Sequence, residues 1–248
     1  MSTDLWPEGY QKIVLGTVDS TNAEAARQAP HLQRPTWIMA RHQTAARGRR
    51  GKTWVHPHGN FAATLVMRPG GVPGWAALRT FLASNAVFET LALYVARDKL
   101  ALKWPNDVLL DGRKVAGILL ESTSIQGHID WLAIGIGVNL SETPPSEGQA
   151  PFSPISVAEV TGEAPRQDEF LRILAGHYAT EEMVLERLGF EPIRRDWLER
   201  AARLGEEIAA QIGNRKVTGI FDTIDDKGQL VLITGTGPVR IPAAEIYF

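Results

Sequence analysis

Residues 41–60 read RHQTAARGRRGKTWVHPHGN, and the rest of the chain is interpreted from this stretch outward. Cations, glycines and aromatic side chains are concentrated here, without any Asp or Glu. The nearest acids are Glu24 and Glu89, and nine Arg and Lys residues lie between them although the chain carries a net charge of −2. A local positive field on a slightly acidic protein favours a binding site for a small anion over a nucleic-acid-binding face.

Arginine and glycine residues are interspersed at residues 47–51, which read RGRRG. Gly48 and Gly51 allow the backbone to approach a ligand closely and to turn its amides inward. Arg47, Arg49 and Arg50 supply planar guanidinium groups that suit phosphate or carboxylate oxygens. A solvated basic loop is the alternative interpretation, because runs of charge usually face solvent.

A P-loop is a further alternative, since residues 46–53 (ARGRRGKT) differ from the pattern G-x-x-x-x-G-K-[ST] only at Ala46. A P-loop must open a helix, whereas residues 54–60 (WVHPHGN) combine a β-branched residue, a proline and a glycine. We therefore predict that residues 46–53, the Arg-rich loop, connect two strands and bind phosphate without P-loop geometry.

The composition bounds the class of protein. With 248 residues, of which 44% are apolar, the chain can bury an ordinary core as one large domain or as a large and a small one. No apolar run approaches the roughly 20 residues of a membrane span, and the N-terminal residues lack the regions of a signal peptide. The absence of cysteine excludes disulfides and thiolate metal sites. These features predict a cytoplasmic protein without membrane association.

Predicted strands and helices alternate in the first part of the chain. An apolar run at residues 13–15 leads to Ser20 or Thr21 as a helix N-cap, with Glu24 in the first helical turn. Strands are expected at residues 36–40 and 60–67, on either side of the Arg-rich loop. The apolar spacing over residues 75–100 predicts one long amphipathic helix.

Residues 102–121 read LKWPNDVLLDGRKVAGILLE and contain a strong hairpin signal. Asp111-Gly112 between two apolar runs predicts that residues 108–110 pair antiparallel with residues 115–121. Pro105 interrupts ladder pairing and marks a bend that carries Asn106 and Asp107. The turn should bring Lys114 across from that bend, although a lysine here is equally compatible with the surface of a hairpin.

The remaining sequence predicts a strand, a group of helices and a small all-β unit. In residues 131–138 (WLAIGIGV), Gly135 and Gly137 leave room for another backbone or a flat ligand, and Asn139 caps the end. A Pro-rich loop at residues 144–154 precedes helices near residues 156–160, 168–188 and 192–204. Strands predicted at residues 206–212, 216–224, 229–234 and 237–242 have the spacing of a small β-barrel. We place a domain boundary near Gly205, which divides the chain into residues 1–204 and 205–248.

Five motifs recur in a characteristic order: Ser20-Thr21-Asn22, then Gln43 with Arg47-Gly48-Arg49-Arg50-Gly51, then Lys103-Trp104-Pro105-Asn106-Asp107, then Arg113-Lys114-Val115-Ala116-Gly117-Ile118-Leu119, and finally Gly135-Ile136-Gly137-Val138-Asn139-Leu140. In this order and spacing the chain resembles the biotin protein ligases over nearly its whole length. Ala46 departs from the pattern, because the family usually has glycine there. The resemblance implies an α+β fold, with a mixed sheet and flanking helices like those of class II aminoacyl-tRNA synthetases, and an SH3-like C-terminal barrel.

The resemblance also implies an activity. The biotin carboxylate is expected to attack the α-phosphate of ATP, which gives biotinyl-5′-AMP and pyrophosphate, before a lysine of a biotin carboxyl carrier protein attacks the mixed anhydride. ATP with Mg²⁺ and biotin as substrate are therefore expected. Biotin is an apolar bicycle with a urea and a carboxylate at opposite ends, so its pocket needs polar groups at both ends. Because two anions meet in the first step, cations aimed at the developing charge are the main catalytic requirement.

The resemblance implies overlapping roles for the candidate site residues. Those expected to act in catalysis are Lys114, Arg47, Arg49 and Asp107. Those expected to bind biotin are Ser20, Thr21, Asn22, Gln43, Arg47, Gly48, Arg49, Lys114 and Gly117. Those expected to bind ATP or the adenylate are Arg49, Arg50, Gly51, Trp54, Lys103, Asn106, Lys114 and Asn139.

Three side chains are left with open roles. Asp107 is a candidate neighbour of either Mg²⁺ or the acceptor lysine, and the sequence does not choose between these roles. His56 and His58 are interpreted as supporting or solvent-exposed residues rather than metal ligands, because a zinc site would need more ligands than this stretch offers.

Two other functions compete with biotin ligation. A lipoate–protein ligase or related acyl transferase would share the fold and the adenylation chemistry, and a sensor could bind biotin or nucleotide without turnover. The Arg-Gly-Arg-Arg-Gly run and the Lys-Trp-Pro-Asn-Asp segment favour biotin. About 18 residues precede Asp19, too few for a helix-turn-helix, so no specific DNA binding is expected. A weak homodimer is left open.

Overall fold

A seven-stranded mixed sheet forms the centre of the protein. The computed structural model describes residues 6–145, 152–242 and 244–247. The strands of this sheet are β1 (Gln11–Val18), β2 (Thr36–Gln43), β3 (Phe61–Met67), β4 (Leu100–Lys103), β5 (Asp107–Leu110), β6 (Arg113–Ile125) and β7 (His128–Val138). Their spatial order is β1-β2-β3-β7-β6-β5-β4. Only β1 and β2 run parallel, so the expected mixed sheet is confirmed.

Six α-helices accompany this sheet within the described residues. They are α1 (Thr21–Gln28), α2 (Pro73–Ala77), α3 (Arg79–Leu91), α4 (Val157–Thr161), α5 (Gln167–Leu188) and α6 (Glu191–Leu198). Ser20 is the N-cap residue of α1, as predicted, although its side chain makes no capping hydrogen bond. Within the described part of the chain, no helix has the length and apolar character needed to span a membrane.

Two helix predictions are wrong in extent. Residues 75–100 do not form one helix, because the chain breaks between α2 and α3, turns after Leu91 and enters β4 at Leu100. Val95, which continues the apolar spacing, is buried from a turn rather than from a helix. The helix predicted at residues 192–204 ends at Leu198, since the following residues bond to β4, where the Leu102 amide donates to the Arg200 carbonyl.

The predicted hairpin is confirmed. Asp111 and Gly112 have φ values of 48° and 71°, the left-handed conformation that a tight hairpin turn requires. β5 and β6 pair antiparallel around this turn. Part of the predicted Pro-rich loop, residues 146–151, lies outside the described residues.

The C-terminal part of the chain forms a second, five-stranded antiparallel sheet. Its strands are β8 (Glu207–Ile212), β9 (Arg215–Ile224), β10 (Leu230–Thr234), β11 (Gly237–Ile241) and β12 (Glu245–Tyr247), in the order β11-β10-β9-β8-β12. The four predicted strands are confirmed, and β12 was missed because it is only three residues long. This sheet agrees with the expected small C-terminal β unit, while the boundary near Gly205 stays a prediction.

Glu181 on α5 is a half-buried carboxyl whose ionisation should weaken the fold. Burial raises the pKa of Glu181 from 4.5 to about 7, although Asn85 donates to its carboxyl group. A folded-state pKa above the unfolded value gives stability that is fully present below about pH 4.5 and is lost as the pH rises through about 7. Glu181→Gln should therefore raise the free energy of unfolding by ~2 kcal/mol at pH 8 and by much less at pH 4.5.

Urea unfolding at the two pH values measures this difference. Glu186→Gln, at an exposed position on the same helix, is the control and should change little at either pH. An equal effect of Glu181→Gln at both pH values would show that ionisation of this carboxyl does not weaken the fold.

Candidate active site

A cavity of about 590 Å³ opens beside the central sheet, where the Arg-rich loop covers the strands. Its wall comes from the N-terminal end of α1, the Arg-rich loop, the β5–β6 hairpin and the glycine-containing part of β7. All of the site residues predicted from the sequence line this cavity except Gly51. Tyr247 of β12 also lines it, so the C-terminal sheet contributes to the wall.

One end of the cavity is lined by neutral hydrogen-bonding groups. Gln43 Oε1 accepts from the Thr21 amide at 2.8 Å and from Thr21 Oγ1 at 3.1 Å. Its carbonyl is thereby occupied, whereas the Nε2 group donates no hydrogen bond within the described residues and can donate to a ligand. Ser20 is buried beside it. This end can recognise a neutral polar group such as a urea.

Thr64 on β3 was not predicted, yet it supports this polar end from below. Its hydroxyl lies 2.8 Å from Thr21 Oγ1 and 2.7 Å from Asn22 Oδ1. Asn22 also donates from Nδ2 to Glu121 Oε2 at 2.8 Å. The Asn22 side chain is therefore engaged by the protein, and these contacts hold the start of α1, while its predicted contact with biotin stays a prediction. No sequence signal distinguishes Thr64, because a β-branched residue in a strand is ordinary.

The Arg-rich loop is a short hairpin between β2 and β3. The Gly48 amide donates to the Lys52 carbonyl at 2.7 Å, and the Trp54 amide donates to the Ala46 carbonyl at 3.0 Å. Arg49–Gly51 form a single 3-10 turn and no α-helix follows, so the P-loop alternative is excluded. Ala46 does not have a positive φ, which explains why alanine fits where the family usually has glycine.

The glycines of β7 make room for side chains. A Cβ on Gly137 would lie 2.8 Å from the Trp54 indole, and one on Gly135 would lie 2.1 Å from Asn22 Oδ1. The space that these glycines were expected to leave for another backbone or a flat ligand is occupied by two side chains. The glycines admit an indole and an amide, and the indole forms part of the cavity wall beside Gly117.

At the other end of the cavity, one carboxylate lies between two lysines. Asp107 Oδ1 lies 2.6 Å from Lys114 Nζ, and Oδ2 lies 3.4 Å from Lys103 Nζ. The hairpin turn brings Lys114 back to Asp107, as predicted. Burial alone would raise the pKa of Asp107, but the two ammonium groups outweigh it and hold this pKa below its usual value. Burial lowers the pKa of Lys103, and the Asp107 carboxylate opposes that effect.

Two of the predicted arginines are held close to this cluster and to α1. Arg49 Nη1 donates to Asn106 Oδ1 at 3.1 Å, while Asn106 Nδ2 donates to the Ile118 carbonyl at 2.6 Å. Arg47 lies 3.5 Å from Glu121 as a half-exposed ion pair. The hairpin and the Arg-rich loop thus place several cations around one cavity, which suits a ligand that carries negative charge.

Asn139 lines the cavity, whereas His56 lies behind its wall, and the side chains of both are hydrogen-bonded to other parts of the protein. Asn139 Nδ2 donates to the Ile155 carbonyl at 3.1 Å, so this side chain fixes the end of β7. His56 accepts at Nδ1 from the Gln43 amide and donates from Nε2 to the Asn60 carbonyl. Burial lowers the pKa of His56 to about 4, which leaves it neutral at pH 7. His58 is exposed and stacks on His42 with ring centroids 4.8 Å apart.

The donor set does not fit a metal ion held by the protein. Both Asp107 oxygens face ammonium groups, and no group of three His, Cys, Asp or Glu side chains within the described residues could hold a metal. We therefore assign no step to a protein-bound metal.

Comparison with known proteins agrees with this architecture. The model of the "Biotin/lipoate A/B protein ligase family" matches residues 14–139, and that of the "Biotin protein ligase C terminal domain" matches residues 204–248. A "Biotin--[acetyl-CoA-carboxylase] ligase" of Paracoccus denitrificans is 49% identical over 95% of this chain and 99% of its own length. The "Bifunctional ligase/repressor BirA" of Escherichia coli (strain K12) is 29% identical over 91% of this chain and 70% of its own.

A solved structure shares the fold. The "Biotin protein ligase from Aquifex aeolicus in complex with biotin and ATP" superposes with a TM-score of 0.80 at 25% identity, over 95% of this chain and 97% of that one. The shared fold and the match of the family model to more than half of the sequence agree with each other. The chain therefore belongs to the biotin/lipoate A/B protein ligase family.

Proposed function

We propose that the protein attaches biotin to a lysine of a biotin carboxyl carrier protein, with ATP as the energy source and biotinyl-5′-AMP as the intermediate. The observation that carries this proposal is the cavity itself, in which a neutral hydrogen-bonding end faces a cluster of cations. A ligand with a urea at one end and a carboxylate at the other matches that polarity. The names of the relatives and of the solved complex support the same substrates.

In this proposal the neutral end holds the biotin urea. Gln43 Nε2 donates to the urea carbonyl, and the hydroxyls of Ser20 and Thr21 complete the hydrogen bonds. The apolar bicycle lies against the strands, beside Gly117 and Gly48, which both line the cavity. Because Thr64 already holds Thr21, and Thr21 holds Gln43, these two residues lose little side-chain freedom on binding.

In this proposal the adenylation reaction takes place at the cationic end of the cavity. A biotin carboxylate oxygen attacks the α-phosphorus of ATP, and the bond between that phosphorus and the bridging oxygen breaks to release pyrophosphate. Lys114 and Arg49 stabilise the negative charge that develops on the phosphoryl oxygens. Asp107 pairs with Lys114 and holds its ammonium group at the cavity wall. Arg47 and Arg50 contact the remaining phosphate oxygens, and Trp54 and Lys103 line the nucleotide side.

In the second step the neutral amine of the acceptor lysine attacks the acyl carbon of biotinyl-5′-AMP. The bond between that carbon and the phosphate oxygen breaks, AMP leaves, the nitrogen releases one proton, and an amide remains. Mg²⁺ enters this proposal only as the counter-ion of the ATP phosphates, consistent with its usual binding by phosphates and few carboxylates.

Calorimetry and pyrophosphate release test whether the substrate is biotin or lipoate. We expect biotin to bind and to stimulate pyrophosphate release from ATP, and lipoate to do neither at the same concentration. Tight lipoate binding with pyrophosphate release would make the protein a lipoate ligase. Biotin binding without pyrophosphate release would make it a sensor. The predictions that it does not bind DNA specifically and lies in the cytoplasm stay predictions, and a weak homodimer stays open.

The Arg-rich loop should become protected from protease when the site is filled. Arg47, Arg50 and Lys52 of this loop are exposed like charges close together in the chain, and a bound anionic ligand would lower their mutual repulsion. We expect trypsin to cut residues 47–52 more slowly with biotin and ATP present, and to cut at the exposed Arg215 and Lys216 at an unchanged rate. Ligand at about a thousand times its dissociation constant should also stabilise the fold by roughly 4 kcal/mol.

Mass spectrometry of the early fragments measures both rates. Equal cutting of the loop with and without ligands would contradict ordering of the loop over the adenylate.

A further inference from the structure

The residue that precedes Lys103 is held by the segment that leads into the C-terminal sheet. β4 ends at Lys103 and lies at the edge of the seven-stranded sheet. On its outer side the Leu102 amide donates to the Arg200 carbonyl at 2.7 Å, and the Ala202 amide donates to the Leu102 carbonyl at 2.8 Å. The segment between α6 and β8 therefore extends the sheet beside the active-site strand.

Arg200 fastens that segment to α3. Its Nη2 lies 2.6 Å from Glu89 Oε1, and its Nη1 donates to Asn85 Oδ1 at 3.3 Å. The guanidinium group also lies 4.9 Å from the centroid of the Phe88 ring. The Arg200 side chain is only 17% exposed, so these contacts are well shielded from solvent. Three contacts to one helix fix the backbone that pairs with Leu102.

The residue that follows Lys103 is held by a turn of the C-terminal sheet. The buried Trp104 donates from Nε1 to the Gly228 carbonyl at 3.1 Å. Asp225 stiffens this β9–β10 turn by accepting from the amides of Lys227 and Gln229 at 3.0 and 2.8 Å. Gly228 has a φ of +75°, and a Cβ there would lie 2.6 Å from the Phe81 ring, so glycine lets the turn pack against α3.

We propose that Arg200 and Trp104 are positioning residues for the adenylation step. Arg200 fixes the segment that pairs with Leu102, and Trp104 is held by its hydrogen bond to the Gly228 carbonyl. Both neighbours of Lys103 are thereby fixed from the C-terminal part of the chain, and so Lys103 is held against Asp107. Because Lys103 and Lys114 share the Asp107 carboxylate, a displaced Lys103 leaves Asp107 to hold Lys114 alone and draws that ammonium away from the phosphate. This inference rests on the proposed function and adds to it the residues that connect the C-terminal sheet to the chemistry.

Two substitutions test the inference without removing a residue of the cavity. Trp104→Phe keeps the aromatic packing and loses the hydrogen bond to Gly228, and Arg200→Met keeps the side-chain stem and loses the guanidinium group. Each should slow single-turnover formation of biotinyl-AMP by about fivefold to tenfold, the equivalent of one lost hydrogen bond. Biotin affinity should stay unchanged, because Ser20, Thr21 and Gln43 lie at the other end of the cavity. Arg200→Lys keeps the charge opposite Glu89 and should recover most of the rate.

Two matched controls separate positioning from stability. Trp197→Phe removes a buried indole whose Nε1 donates no hydrogen bond within the described residues. Arg194→Met removes a guanidinium group that donates to the Ile224 carbonyl at 3.4 Å and pairs with Glu191. Both should form the adenylate within a factor of about two of wild type. If all four variants slow adenylation in proportion to lost thermal stability, or if Trp104→Phe and Arg200→Met match wild type, the inference is wrong.

Calorimetry with pyrophosphate separates this inference from the proposed function. A wild-type protein that forms no biotinyl-AMP would overturn the function, and pyrophosphate binding would then decide only whether Arg200 and Trp104 position the lysines around Asp107. We expect Trp104→Phe and Arg200→Met to bind pyrophosphate about fivefold more weakly than wild type and the two controls to bind it equally well. Equal affinity in all five proteins would overturn the positioning role.

Discussion

Replacing Lys114 with alanine should slow formation of biotinyl-AMP by about 10²- to 10³-fold while changing biotin affinity much less. The reason is the position of its ammonium group, 2.6 Å from Asp107 Oδ1 at the cationic end of the cavity. A preorganised charge there stabilises the phosphoryl oxygens mainly in the transition state, so its loss lowers the rate more than it weakens binding. Single-turnover measurement of the adenylate gives the rate directly.

Lys99→Ala is the matched control for Lys114→Ala. Lys99, which precedes β4, pairs at 3.5 Å with Asp111 of the hairpin turn and does not line the cavity, so its loss removes an exposed lysine outside the site. We expect this variant to keep the wild-type rate. A Lys114→Ala protein that forms the adenylate within a few-fold of wild type would show that this lysine does not act on the phosphate.

Replacing Asp107 with alanine should destabilise the fold by about 3–5 kcal/mol, because it leaves ammonium groups without their shared carboxylate. Lys103 is the critical partner, since its side chain is only 6% exposed and burial already lowers its pKa. The double substitution Asp107→Ala with Lys103→Met removes the stranded charge and should recover much of the loss in urea unfolding.

Asp111→Asn is the control for Asp107→Ala. It neutralises the exposed carboxylate that pairs with Lys99, and asparagine tolerates the positive φ of that position, so we expect a change below about 0.5 kcal/mol. If Asp107→Ala lowers the free energy of unfolding by less than about 1 kcal/mol, the ammonium groups of Lys103 and Lys114 become solvated without a large energetic penalty. The shared-carboxylate account of the site would then be wrong.

The parts of this site that could be predicted from the sequence are those fixed by local geometry. Asp111-Gly112 specifies a tight turn, and that turn brings Lys114 back towards Asp107. Likewise, Pro57 and Gly59 after the Arg-rich loop argued against a helix, and the loop indeed connects two strands.

The parts that could not be predicted depend on distant packing. All but two residues of α3 are buried, so its apolar spacing gave no sign of where the helix ends. Thr64 supports the polar end of the cavity from a strand that reads as ordinary core. The bond from Trp104 to Gly228 spans 124 residues, and no local pattern indicates which carbonyl a buried indole will find.

The most direct test of the proposed function is transfer of radiolabelled biotin. The protein is incubated with ATP, Mg²⁺ and labelled biotin, with and without a biotin carboxyl carrier protein domain, and the label is followed by chromatography. We expect labelled biotinyl-AMP and pyrophosphate in the absence of the carrier domain. In its presence we expect the label on one lysine of the carrier domain, with AMP released. A carrier domain that remains unlabelled, together with no labelled adenylate, would contradict the proposal that this cavity joins biotin to ATP.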